Sequence, residues 1–256
     1  MKIETRLRLI AGAGMAAIAG LGLAAHLSAA EPSKISGLDR KAIEDIVHTY
    51  IVAHPEVITE AITALQAKED AALKAKAGDT IAKHPKDIYE DGYSFEWGKK
   101  TAPVTIVEFF DYNCVHCREA FPKLMSLIDN QADVRIIFKE FPIFQGSDEP
   151  AAAALAAARQ GKYLEMHRAL MTYQGRVAKE AIEVSAKKAG LDYPRLLKDM
   201  KDPAVQKQIA QNHKLGDDLG LDGTPALIIG KELLNGWSPS LFEDLMKKAR
   251  AAKGKG

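Results

Sequence analysis

The sequence predicts an α/β domain carrying an all-helical insertion and preceded by a separate helical segment, and three observations lead there. The run Val104 to Phe110 is almost continuously apolar, β-branched and aromatic, interrupted only by Thr105 and Glu108, as in a strand buried on both faces. Helical spacing follows at Ala120, Phe121, Leu124, Leu127 and Ile128. A second strand pattern comes next at Val134, Ile136, Ile137 and Phe138, which completes a βαβ unit. From about 147 to 220 the chain then reads as helix after helix before strand signals return.

Taken in order, Met1 to Ala30 reads as a secretory signal. Lys2, Arg6 and Arg8 come first, then an uncharged stretch from Leu9 to Ala25, then Ser28-Ala29-Ala30 with small residues where cleavage needs them. The alternative is an uncleaved anchor, since the apolar stretch approaches the minimum for a span; its many Gly and Ala residues favour cleavage. Residues 31–86 form the N-terminal segment. Asp39 caps a helix striped by Ile43, Ile46, Val47, Tyr50 and Ile51. His54-Pro55 breaks it, and a second helix carries Val57, Ile58, Ala61, Ile62 and Leu65, with the helical pattern ending near Ala77. Two short helices cannot bury both stripes on one another. The stripes over residues 38–77 therefore meet either the main domain or other copies of the chain, and the amphipathic pattern favours a homo-oligomer.

Residues 87–256 form the main domain. Across its start, Asp79 to Lys100 reads as a connector in which Tyr93, Phe95 and Trp97 alternate with polar residues, suggesting a short strand paired with the Val104 strand. The second core strand runs from Val134 to about Phe144. Helices are expected at Ala151 to Gln160, Tyr163 to Tyr173, Lys179 to Lys188, Pro194 to Met200 and Ala204 to Leu219. Strands follow at Pro225 to Ile229 and Leu233-Leu234, and a last helix opens at Pro239. The Lys-rich end is a solvated helix terminus whose charge suits the dipole.

The only two cysteines, Cys114 and Cys117, sit where the first core strand turns into its helix. A thiolate at Cys114 meets unpaired backbone N–H groups and the positive end of the helix dipole, so its pKa falls and it becomes the nucleophile. Cys117, one turn deeper on the same side, is the resolving thiol, and His116 between them can lower the Cys114 pKa further. Zinc would want four ligands, and no other cysteine exists to supply a second pair. A static structural disulfide would close a loop of only four residues, which constrains the unfolded chain little. Redox chemistry is the better use of such a pair. With 35 basic and 34 acidic residues interspersed, the chain carries no nucleic-acid footprint.

Val-Glu-Phe-Phe-Asp-Tyr-Asn-Cys-Val-His-Cys (107–117), Gln-Gly-Lys-Tyr-Leu-Glu-Met-His (160–167) and Leu-Gly-Leu-Asp-Gly-Thr-Pro-Ala-Leu-Ile-Ile-Gly (219–230) resemble the DsbA family, whose thioredoxin fold bears a helical insertion. The N-terminal segment is similar to that of ScsC-like members, in which such a segment mediates oligomerisation. The resemblance implies a periplasmic thiol-disulfide oxidoreductase acting on protein substrates with cysteines, turned over by a redox partner protein. It implies no metal or organic cofactor beyond the Cys114–Cys117 disulfide. It also implies that Pro225 is cis and, with Thr224, faces the cysteines and leaves backbone groups to pair with an extended substrate. The sequence departs from DsbA at Val115, where that protein has proline.

Glu108 is a carboxylate in a strand otherwise built for burial. Lys139, on the next strand, is its expected partner; the two read either as a proton relay that takes the Cys117 proton or as a charge reaching solvent at the strand end. His48, His54, His84, His167 and His213 show no metal spacing and read as surface or cap residues. The function expected is disulfide isomerisation by an oligomer; the alternatives are a monomeric dithiol oxidase and a chaperone-like binding module.

Overall fold

The computed structural model describes residues 37–130 and 133–253, so the signal read at residues 1–30 lies outside the described part. The chain divides into two compact units, Met1–Thr59 and Glu60–Gly256. The first contains helix α1 (Gly37–Ala53) and the opening turn of α2 (Glu56–Lys83). The break between them falls at His54-Pro55, where proline pre-sets the first turn of the next helix. On α1 the apolar side chains Ile43, Ile46, Val47 and Tyr50 are all exposed, Ile46 at 67 %.

Within the second unit, α2 still presents Ile62 and Leu65 as exposed side chains, then buries Ala77 and Ile81. The helix therefore continues past its expected end near Ala77. Its last turns belong to the core, where Thr80 Oγ1 donates to the Asp218 carbonyl at 3.1 Å. A short helix α3 (Pro85–Tyr89) follows in the stretch read as connector.

Strands β1 (Phe95–Trp97) and β2 (Val104–Phe110), helix α4 (Val115–Asn130) and strand β3 (Val134–Glu140) lead into helices α5 (Asp148–Ala158), α6 (Tyr163–Met171), α7 (Lys179–Ala189), α8 (Tyr193–Asp199) and α9 (Pro203–Leu219). Strands β4 (Ala226–Ile229) and β5 (Glu232–Asn235) and helix α10 (Pro239–Lys253) complete the described residues. The sheet order is β1-β3-β2-β4-β5, with β2 and β3 parallel and the remaining pairs antiparallel. β1 thus pairs with β3 and not, as expected, with β2. Both edges of β2 are already taken by β3 and β4, so β1 adds to the outer edge of β3.

The continuous apolar runs follow from burial on both sides of this sheet. Ile106 and Phe110 of β2 pack with α4, α5, α6 and α10, while Val107 and Phe109 pack with the end of α2, with α3 and with the end of α9. Side chains alternate in direction along each strand, so every strand position is committed to one layer or the other.

Candidate active site

Cys114 lies immediately before α4, whose first turn offers backbone N–H groups that no carbonyl of the helix can pair. Its own N–H is bound by the Asp111 carbonyl at 3.1 Å and its carbonyl by the Arg118 N–H at 3.2 Å, which fixes the turn. The thiol reaches the Thr224 carbonyl at 3.1 Å, across the Thr224–Pro225 bond, which is cis. The Cys114 pKa is lowered to about 5. A hydrogen bond from the Cys117 thiol does most of this against the opposing effect of burial, helped by the contact with Thr224 and by the backbone N–H groups of Cys117 and His116. Cys117 is fully buried; burial, with its hydrogen bond to Cys114 added, pushes its pKa far above that of an ordinary thiol. The geometry therefore separates the pair into an ionised outer thiol and a protonated inner one. Both are free thiols in this structure.

His116 projects into solvent, and its Nδ1 bonds Glu119 Oε2 at 2.8 Å, which raises its pKa. Its imidazole does not hydrogen-bond Cys114. What His116 gives the thiolate directly is its backbone N–H.

Glu108 lies beneath the cysteines, 1 % exposed, with neither carboxylate oxygen hydrogen-bonded. Burial, followed by the charges of Glu140 and Cys114, pushes its pKa up to about 8. The expected partnership with Lys139 is not formed. Glu108 stands opposite Phe138 in the parallel register, and Lys139, the next residue, points to the other face of the sheet. There its ammonium is fully buried against Asp91 at 2.5 Å and the Asp87 carbonyl at 3.0 Å. Glu140, the residue after Lys139, is the one that returns to the layer of Glu108.

Several residues that shape the site carried no distinct signal in the sequence. Asp111, in the turn before the cysteines, accepts from the N–H groups of Asn113, Ile143 and Phe144 and from the Ser147 hydroxyl. Asn113 exchanges hydrogen bonds with the Val177 backbone, and Arg118 donates to the carbonyls of Tyr112, Tyr173 and Gly175. These bonds tie the cysteine turn to the loop after β3 and to the helical insertion. Where they meet, a groove of about 520 Å³ opens beside Val115, Arg118, Phe144 and Arg176. His167, expected at the surface, is instead buried beneath the site, with Nδ1 bonded to the Tyr112 hydroxyl at 3.0 Å and its pKa pushed down to about 3 by burial. Its position on the inward face of α6, one turn after Tyr163, is the signal that places it there. Among the described residues no cluster of three or more His, Cys, Asp or Glu side chains is arranged to hold a metal ion, and no helix is long and apolar enough to cross a membrane.

Comparison with known proteins agrees with this geometry. Residues 105–247 match the DSBA-like thioredoxin domain, and residues 39–72 match the copper resistance protein ScsC N-terminal domain. A thioredoxin-like oxidoreductase from Silicibacter pomeroyi is 38 % identical with a TM-score of 0.61, over 65 % of this chain and 97 % of that one. ScsC from Proteus mirabilis in a transitional conformation is 28 % identical with a TM-score of 0.63, over 85 % of this chain and 99 % of that one. The Na(+)/H(+) antiporter NhaA 3 from Salinispora tropica is 30 % identical over 52 % of this chain, but the chain spans only 21 % of that protein's length. With the thiol pair, the sheet and the matched domain in agreement, the chain belongs to the DsbA-like thioredoxin family of thiol-disulfide oxidoreductases.

Proposed function

We propose that the protein rearranges disulfides in exported protein substrates, with the Cys114–Cys117 pair as its only redox group and several copies of the chain joined through the N-terminal helices. The observation that carries the chemistry is the division of labour between the thiols: an acidic Cys114 at the helix start and a buried, protonated Cys117 one turn deeper. Cys114 thiolate attacks a substrate disulfide, a mixed disulfide forms, and a substrate thiolate leaves. Cys117 then gives up its proton and attacks Cys114, releasing the second substrate thiolate and leaving the pair oxidised. If a substrate thiol attacks first, Cys114 is released reduced and the substrate has been isomerised. Glu108 would take the Cys117 proton: its charge acts on the buried Cys117 thiol, and its own carboxyl feels the charge of Cys114. An extended substrate segment would lie across Thr224 and Pro225, with the exposed Val115 and Phe144 offering apolar contact.

Assembly rests on the exposed stripes of α1 and α2 together with the ScsC-type segment. Holding one misfolded substrate at several sites raises the effective concentration of each thiol near a wrong disulfide, which favours isomerisation over simple oxidation. Export to the periplasm follows from the signal read at residues 1–30, and the redox partner that resets the pair is a second protein. The test is refolding of a scrambled multi-disulfide protein. The wild type is expected to restore native pairing, Cys114→Ser to lose that activity, and full retention by Cys114→Ser would make the protein a chaperone-like binding module.

A further inference from the structure

A second buried carboxyl, Glu140, stands in the same layer as Glu108 and is unused by the chemistry above. It ends β3 opposite Phe110, two positions beyond the Phe138 that faces Glu108, so both carboxyls project from one face of the parallel pair. Glu140 is fully buried. One oxygen accepts from the Tyr163 hydroxyl and the other has no partner, while the Asn212 amide holds its backbone carbonyl at 3.0 Å. Tyr163 in turn shares a hydrogen bond with the Tyr112 hydroxyl, which is bonded to His167.

The groups facing Glu140 are therefore Glu108 from β2, Tyr112 from the turn after it, Tyr163 and neutral His167 from α6, and Asn212 from α9. Lys139 and Asp91 act on it only through their charges. Burial pushes both carboxyls up to about 8. They do not ionise as equals, because Glu140 has a hydroxyl donor and neither oxygen of Glu108 has any. Glu140 ionises first, and its charge then opposes ionisation of Glu108.

We propose that Glu140 is a positioning residue for the resolving step: an anion tethered by Tyr163 that makes Glu108 a stronger base toward the Cys117 thiol. In that step the Cys117 S–H bond breaks and its proton passes to Glu108. The Cys117 sulfur bonds Cys114, and the substrate sulfur leaves with the electron pair of the broken mixed disulfide. The inference rests on the role given above to Cys114, Cys117 and Glu108.

The experiment is single-turnover release of a substrate thiol from the Cys114 mixed disulfide of the full-length protein, followed against pH, with formation of the mixed disulfide recorded separately. In the wild type, release rises as Glu108 ionises. In Glu140→Gln that rise is expected to move down by about one pH unit or more, with a slower plateau because the base is weaker. Tyr163→Phe, which keeps Glu140 but removes its donor, should move the rise in the same direction. In a Glu108→Gln background, Glu140→Gln should leave the profile where it is. An unshifted profile in Glu140→Gln, or a shift that persists without Glu108, overturns the role of Glu140 alone. Failure of Cys114 to form a mixed disulfide at any pH overturns the reading of the site and the inference with it.

Discussion

Burial raises the pKa of both cysteines, and the two end on opposite sides of the ordinary thiol value because the donors that stabilise a thiolate gather at Cys114. Cys114 gathers N–H and S–H donors at the start of α4 and ionises near 5; Cys117, one turn inside, has burial against it and stays protonated. For Cys114 the folded pKa lies below the ordinary thiol value of 9.0, so its contribution to the stability of the reduced protein is full above pH 9 and is lost as pH falls toward 5. Thermal unfolding of the reduced form should show that loss on acidification, and the oxidised form should not. Glu108 runs the other way. Its folded pKa of about 8 exceeds the ordinary 4.5, so it destabilises the fold progressively as pH rises between those values. Glu108→Gln should accordingly raise the melting temperature at pH 8 and leave it nearly unchanged at pH 4, while slowing release of mixed disulfides more than their formation. Equal melting shifts at both pH values would mean that the carboxyl is not the source. His116→Ala should raise the Cys114 midpoint by less than about one unit, since the backbone N–H survives the substitution and the imidazole acts only through its charge.

At the scale of elements, the turn between β2 and α4 is held by side chains from neighbouring loops. Arg118→Ala frees the carbonyls of Tyr112, Tyr173 and Gly175 together. Hydrogen exchange should quicken in the turn and in the segment after α6, and disulfide exchange should slow, with little change in the sheet. Gly98 precedes β2 at φ +94°, and a Cβ there would collide with the Val134 carbonyl oxygen. Gly98→Ala should cost at least about 1–2 kcal/mol from the backbone conformation alone, measurable by denaturant unfolding. The strands, the cysteine helix and the helical insertion were legible because burial on both faces and helical spacing each leave a period in the sequence. Which face a residue takes was not. Val134, Ile136, Ile137 and Phe138 are apolar at both parities, so nothing in β3 distinguishes the layer of Lys139 from that of Glu140. The edge chosen by β1 was equally hidden, because it depends on β4, a strand more than a hundred residues away. Asp111 and Asn113 act through partners that only the closed fold brings near.

For the whole molecule, the exposed stripe of α1 and early α2 is the feature that a lone chain leaves unsatisfied. Charged substitutions there, such as Ile46→Lys with Ile62→Lys, should convert an oligomer into a monomer in light scattering. They should preserve reduction of small disulfides and remove most refolding of scrambled protein. Substitution is a cleaner test than truncation through α2, because Ala77 and Ile81 belong to the core of the second unit. A wild type that is monomeric at working concentration would remove the assembly and leave a monomeric dithiol oxidase. The disulfide chemistry depends on Cys114 being the ionised, attacking thiol and Cys117 the protonated one held in reserve. Alkylation of the reduced full-length protein, followed residue by residue against pH, tests this most directly: modification of Cys114 is expected to follow a midpoint near 5 while Cys117 stays unmodified. A Cys114 midpoint at or above about 8, or modification of Cys117 first, would contradict it.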